Sequence, residues 1–290
     1  MDLARHGVPA LTAPRFIDLH MHSTASDGAL APAAVVASAK SANLVAIALT
    51  DHDSVAGIVE AVAAGGAAGV RVVAGCEFSV SAPWGEMHLL GYFLPVGDDA
   101  VEHFLDHCRA DRRRRAEVMC GRLQELGVRV TIEGVLEEAA GGAIGRPHVA
   151  RAVVRAGAAQ DVNEAFDRYL GRNKPAYADK VLPTFGDVAG LVHRAGGVVS
   201  AAHLRDRATR PYLARLKQEG LDAVEVRHPR HAAETRSRIA GLATALDLAR
   251  TGGSDWHGDI GPGEEHGSLG SQTVPENWLE RLEARRPTPQ

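Results

Sequence analysis

Short apolar runs alternate with longer helical stretches through the first third of the chain. "FIDLHMH" (16–22) alternates strictly, with Ile17, Leu19 and Met21 on one face and Asp18, His20 and His22 on the other. The helix-like "APAAVVASAKSA" (31–42) follows, then the buried-strand run "LVAIALTDHD" (44–53). A second helix is predicted over "SVAGIVEAVAAGGAAG" (54–69), with Ser54 as its N-cap, ahead of the strand "VRVVAGCEFSV" (70–80). "SAPWGE" (81–86) reads as a hairpin turn and "MHLLGYFL" (87–94) as its return strand. Buried strands alternating with helices predict an α/β fold of parallel strands joined by right-handed crossovers.

From 98 the period becomes helical. "DDAVEHFLDHCRADRRRRAEVMCGRLQELG" (98–127) is long and ends at Gly127, and three shorter helical segments follow, each closed by a glycine. No strand is predicted in 98–180, which reads as a helical insertion or lid on an α/β body formed by 15–97 and 181–275. Alternation then resumes. A helix from 184 opens with a Thr184–Asp187 capping pair, and "VVSAAH", "LDAVEVRH" and "LARTGGSD" supply strands separated by two more helices. Residues 1–14 are expected to be a loose N-terminal extension and 276–290 a C-terminal tail.

Composition narrows the class. Aromatics make up only 4% of 290 residues, so a core drawn from 45% hydrophobic residues must rest on Ala, Val, Leu and Ile. A net charge of −4 argues against coating long duplex nucleic acid, though a basic pocket for a small anion remains open. No apolar run is long enough for a membrane span. Cys76, Cys108 and Cys120 form no CxxC and no disulfide framework, so the expected setting is the cytoplasm. The oligomeric state is not legible.

The 14 histidines change the picture most. Many of them, with most of the acidic candidates, fall at strand ends: His20 and His22 with Asp27 in the next loop, Asp51, His52 and Asp53, then Glu77. His88 lies on the return strand, and later strands end at His203, at Glu225 and His228, and at Asp255 and His257. An α/β barrel builds its active site at that edge. His52 and Asp53 also suit helix capping, and His88 alone would suit a half-buried structural role. Glu77 is harder to explain without a cation, because a buried carboxylate needs one or several donors. Nitrogen and oxygen ligands without cysteine suit Zn, Mn or Fe, and the number of candidates implies a cluster of two or three divalent ions. Such clusters, bridged by a hydroxide, serve phosphoester hydrolysis. His6, His103, His107, His193, His231 and His266 fall on helices or tails and are expected at the surface. The run Arg109–Arg115 is expected to be solvated helix surface, since four consecutive arginines wrap round a helix.

"DLHMHSTASDG", "ALTDHDSVAG", "CEFSV", "HLLGY" and "GSDWHG" together resemble the successive motifs of the PHP (polymerase and histidinol phosphatase) superfamily, over about 16–272. The resemblance implies a distorted (β/α)7 barrel with a trinuclear centre, Mn first among Mn, Zn, Fe and Mg. By position, His20, His22, Glu77 and Asp255 resemble the ligands of one metal. Glu77 would bridge to a second ion held by His88 and His203, and Asp27, His52 and His257 would hold a third. "AHL" at His203–Leu204 stands where the family often has "AHP". "GRPHVARAVV" (145–154) and "YLGRNKPAY" (169–177) resemble the nucleotide-directed phosphoesterases of the family, which act on 3′,5′-bisphosphonucleosides or on short RNA from its 5′ end. By that resemblance Arg146, His148 and Lys174 would point donors at phosphate, with His228 opposite, and the chemistry would fall to His228, Asp255 and His257. Asp18 is expected to orient His20 or His22 from behind. A histidinol-phosphate type phosphatase, or a non-catalytic metal-bound module that binds nucleotide or polymerase, are the alternatives.

Overall fold

In the computed structural model, residues 15–258 and 267–287 are described. The N-terminal extension, His6 and His266 lie outside them. The chain runs β1 (Phe16–Met21), α1 (Pro32–Ser41), β2 (Leu44–Leu49), α2 (Ile58–Ala68), β3 (Arg71–Ala82) and β4 (Gly85–Tyr92). There follow α3 (Asp99–Glu125), α4 (Ile132–Ala139), α5 (Arg146–Arg155) and α6 (Val162–Ala165), which continues as a π-helical turn. The body resumes with α7 (Phe185–Arg194), β5 (Val198–Ala201), α8 (Arg210–Gln218), β6 (Ala223–Arg227), α9 (Ala233–Ala245), β7 (Ala249–Gly252), β8 (Val274–Pro275) and α10 (Asn277–Glu283).

The strands form one sheet in the order β7-β6-β5-β4-β3-β2-β1-β8. β1, β2 and β3 are parallel, as are β5, β6 and β7, whereas β4 runs antiparallel to both neighbours. The chain beyond β7 closes the ring onto β1: Asp255 N donates to His20 O and His22 N to Trp256 O, both at 2.9 Å. The result is a distorted (β/α)7 barrel. Gly253 permits the closure, because a Cβ there would lie 2.4 Å from the His20 backbone nitrogen.

Helix α3 joins two packing units. Val101 and Leu105 belong to the barrel core with Phe78, Leu89 and Val192. About three to five turns beyond Leu105, Ala116, Met119, Cys120 and Leu123 enter a separate cluster drawn wholly from 116–178. Gly142 lets the α4–α5 loop lie on the loop after β1, where Ala143 N donates to Ala25 O at 3.0 Å.

Three sequence expectations change. Ser54 does not cap α2, which starts at Ile58 after Gly57 and has no side-chain cap; the Ser54 hydroxyl instead accepts from Ala56 N. The segment from 276 is not wholly a tail, since α10 buries Leu279 and Leu282 against the barrel. His231 is buried, its Nδ1 bonded to the Val226 carbonyl, although it was expected on the surface.

Candidate metal centre

The barrel's C-terminal edge gathers the strand-end residues into one polar core. β1 points His20 and His22 inward, both fully buried. The next loop is shaped by Asp51, whose carboxylate accepts from Ser23 N, Ser23 Oγ and Ser26 Oγ at 2.6–2.8 Å. That loop presents Asp27 to His257 Nε2 at 3.4 Å and to His52 Nε2 at 3.9 Å. Glu77, from the middle of β3, stands at the centre. Its Oε1 meets His88 Nδ1 at 2.8 Å and His203 Nε2 at 3.0 Å, and its Oε2 lies 3.1–3.3 Å from His52, His20 and His22. Asp255 Oδ1 lies 3.4 Å from His20 Nε2 and 3.3 Å from His22 Nε2. His203 and Asp255 hold positive φ angles, 31° and 52°, so both candidate ligands sit on left-handed backbone.

Several close approaches are not hydrogen bonds. His20 Nε2, His22 Nε2, His52 Nδ1, Asp27 Oδ1 and Glu77 Oε2 are buried without a hydrogen-bond partner. Leaving such atoms unpaired in a protein interior is costly. Lone pairs that converge without bonding one another are what a cation requires. His20 shows the arrangement most clearly: its Nδ1–H donates to Glu225 Oε1 at 3.0 Å, which leaves the Nε2 lone pair facing Glu77 and Asp255. Four groupings, each with ligand atoms within 4.8 Å of one another, occur among the described residues: His20/His22/Glu77/Asp255, His22/Asp27/His52/His257, His52/Glu77/His88 and His20/Glu225/His228. The donor set of imidazoles and carboxylates suits divalent metal ions.

The local field has the same sense. Burial alone would depress the His22 imidazole, yet the Asp255 and Glu77 carboxylates push it up to about 10. Burial likewise opposes ionisation of Glu77, but the surrounding His52, His88 and His20 hold it well below the usual carboxylate range.

All nine residues read as ligands in the sequence come together here. The groups read as substrate donors divide. Arg146, at the start of α5, is half-buried and lines the mouth of the centre, its guanidinium over Phe166 and Tyr177. His148 is buried and accepts from Gly145 N through Nδ1, closing the first turn of α5, so it serves that helix and not the cavity. Burial pushes it down to about 4. Lys174 is exposed and lines neither cavity at this edge. His228 is buried behind Asp255: it accepts from Arg230 N at Nδ1, so Nε2 carries the proton toward Asp255 Oδ2 at 3.3 Å. Asp18 does not orient an imidazole ring. Its carboxylate accepts from Ser254 N, Gly270 N and His20 N, fixing the loop that carries Asp255.

Sequence reasoning missed the cations that rim the centre. Arg112 and Arg115, expected as solvated surface, are 7% and 5% exposed. Arg112 donates through Nε to Asp53 Oδ2 at 2.7 Å and through Nη1 to the Ile144 carbonyl. Lys180 reaches Asp53 and Glu86, both at 3.3 Å, as well as the Ser79 hydroxyl. Asp53 is thereby an ionic hub, not a helix cap; burial would raise it, but Lys180 and Arg112 hold it well below its ordinary value. Arg115 donates through Nε to Ala178 O while its Nη2 is buried without a partner. The three-residue spacing of Arg112 and Arg115, one helix face, was the available signal.

The chain belongs to the PHP family, whose domain model matches residues 18–219. It is 33% identical over 256 residues to the 3′,5′-nucleoside bisphosphate phosphatase of Chromobacterium violaceum, covering 86% of this chain and 88% of that protein. It is 31% identical over 248 residues to the 5′-3′ exoribonuclease Rnm of Escherichia coli, covering 83% and 84%. A crystal structure from Bifidobacterium adolescentis, described as a metal-dependent phosphoesterase, superposes with a TM-score of 0.86 at 30% identity over 95% of this chain and 98% of that one.

Proposed function

We propose that this PHP-family phosphoesterase hydrolyses phosphate esters of nucleotides, either the 3′-phosphate of 3′,5′-bisphosphonucleosides or the ester of short 5′-phosphorylated oligoribonucleotides. The observation that carries the reading is the set of unbonded, buried imidazole and carboxylate atoms gathered beneath a rim of guanidinium and ammonium groups. His20, His22, Glu77 and Asp255 would hold one ion; Glu77, His88 and His203 a second; Asp27, His52 and His257 a third. The mixed oxygen and nitrogen set admits Mn, Zn or Fe; Mn is put first on the family resemblance, with Mg as a further substitute. Bound there, the ions would supply Lewis-acid neutralisation of phosphoryl charge and activation of water.

The chain's own residues supply the rest. Arg146 offers forked donors to phosphate oxygens, which fixes the substrate's position before reaction, and the buried Arg115 adds positive charge behind it. Glu225 holds His20 in the tautomer that keeps Nε2 available. Residues 98–180 act as the lid that carries those arginines over the barrel edge. A non-catalytic binding module would not need nine intact ligand groups. The three unpaired cysteines fit a reducing, cytoplasmic setting, and among the described residues no helix is long and apolar enough to cross a membrane.

Steady-state kinetics on 3′,5′-bisphosphoadenosine, 5′-phosphorylated RNA and histidinol phosphate test the reading. Arg146→Ala is expected to raise KM for doubly phosphorylated substrates by about tenfold, the scale of one charge-assisted bond. Equal losses on singly and doubly phosphorylated substrates would remove Arg146 from phosphate recognition, and turnover of histidinol phosphate alone would replace the nucleotide reading.

A further inference from the structure

Beside the metal centre lies a second, larger cavity of about 510 Å³, against about 260 Å³ for the space over the ligands themselves. The two share Glu86, His88, Arg146, Lys180 and His203 as walls, so they adjoin. Ligand sites for whole small molecules occupy roughly 300–1,000 Å³. The metal-side space alone is thus sized for a phosphate and part of its ester, and the adjoining one for what the phosphate is attached to.

Its far wall is aromatic and held in place. Trp84 sits at the β3–β4 turn with its indole N–H donating to Glu86 O at 2.9 Å, and Arg172 from the helical block bonds its carbonyl. Tyr212 packs on the indole at 4.9 Å, and the exposed Arg207 guanidinium lies 4.8 Å over the ring. Trp84 is nevertheless only partly covered, and its one polar atom is already satisfied. What it presents to the cavity is therefore a flat, hydrogen-bond-inert surface beside a planar cation. Met87, Leu182 and Leu204 add apolar wall, while Arg146, Arg172, Lys180 and Arg207 outnumber the acidic Glu86 and Asp179.

We propose that this cavity is a nucleobase subsite, in which the base of the substrate stacks with Trp84 and Arg207 while its phosphate reaches the metal edge. The inference rests on the phosphoesterase reading and narrows the substrate class to esters that carry a planar base. Stacking of this kind is tolerant of base identity, because every base has a π-face. Stacking on Trp84 and Arg207 does not itself read a base edge, so this contact is expected to discriminate little among the four bases.

Equilibrium binding separates this inference from catalysis. Calorimetric titration of the metal-loaded protein with adenosine 5′-monophosphate, the nucleotide left once the 3′-phosphate is removed, and with ribose 5-phosphate as its abasic counterpart, supplies the comparison. Trp84→Ala is expected to weaken the nucleotide by about tenfold, within the range for one stacked base, and to leave the abasic ligand unaffected. Trp84→Tyr should restore most of the loss. Arg207→Ala, at an exposed position that carries no fold, should weaken the nucleotide selectively as well. If the two ligands weaken equally, or the nucleotide not at all, the base does not lie here. If wild-type protein binds the nucleotide selectively but hydrolyses no phosphoester, the subsite stands and the catalytic reading falls.

Discussion

Glu225 carries more of the metal centre than its distance from the cavity suggests. It is completely buried, bonds His20 Nδ1 through one oxygen and accepts His203 N through the other at 2.7 Å, so two proposed ligands depend on one carboxylate. Glu225→Gln should lower metal affinity by about 10–100-fold, the usual cost of losing such a support. Competition with a calibrated chelator reads this directly; unchanged affinity would mean that the barrel wall alone orients His20. A second residue-level prediction concerns His193, in the last turn of α7, whose Nε2 meets Asp222 Oδ2 at 2.8 Å. That bond raises its pKa above 6.5, so its contribution to stability is complete below that value and fades as pH rises through the folded pKa. The Tm difference between wild type and His193→Asn should be largest below about pH 6.5 and shrink as pH rises above it, and it is worth roughly 1 kcal/mol or less. A difference that grows with pH would contradict the assignment. Most of the nine ligand candidates could be read from sequence because a histidine or carboxylate follows an apolar strand run, whereas Glu77 and His88 lie within β3 and β4 and Asp27 in the loop after β1. Glu225 was visible at a strand end but not its task, since only the folded register brings it to His20 across 205 positions.

At the scale of elements, α3 decides how the helical block meets the barrel. Its first turns pack into the barrel core, its last turns into the separate cluster, and between them Arg112 is driven into Asp53. Arg112→Ala leaves the Asp53 carboxylate buried with Lys180 and the Ser79 backbone N–H as its partners. Breaking a buried pair in this way typically costs about 3–5 kcal/mol, and a drop of that size should appear in denaturant unfolding. A loss below about 1 kcal/mol would show that water reaches Asp53 and that the hub is a surface pair in effect. Helix and strand positions from 16 to 97 and from 184 to 255 were legible because the apolar period switches clearly there, helped by the reciprocal Thr184–Asp187 cap, whereas at α2 the cap chemistry of Ser54 misled, the helix starting only at Ile58. The arginine run was misread because a wheel argument treats four neighbours alike. The helix turns Arg113 and Arg114 outward, 54% and 50% exposed, and Arg112 and Arg115 inward. The C-terminal helix was missed because Leu279 and Leu282 are too few apolar positions to announce a buried face.

On the scale of the whole molecule, the barrel supplies ligands from strands that are distant in sequence, and the inserted block supplies most of the cations at the cavity, with Arg230 after β6 as a barrel contribution. The acidic side chains Asp27, Glu77, Glu86 and Asp255 line one cavity together with Arg112, Arg115, Arg146, Lys180 and Arg230. That division of charge suits an anion held against metal ions better than it suits either charge alone. It also explains why net charge read from composition said little: the polarity lies between two packing units and cancels in the sum. The most direct test is phosphate release from 3′,5′-bisphosphoadenosine by protein stripped with chelator and then reloaded with Mn. The stripped wild type should be inactive, reloading should restore turnover, and reloaded His22→Ala should stay inactive while keeping its fold by circular dichroism. Turnover by the stripped protein, or a wild-type rate from reloaded His22→Ala, would contradict the account.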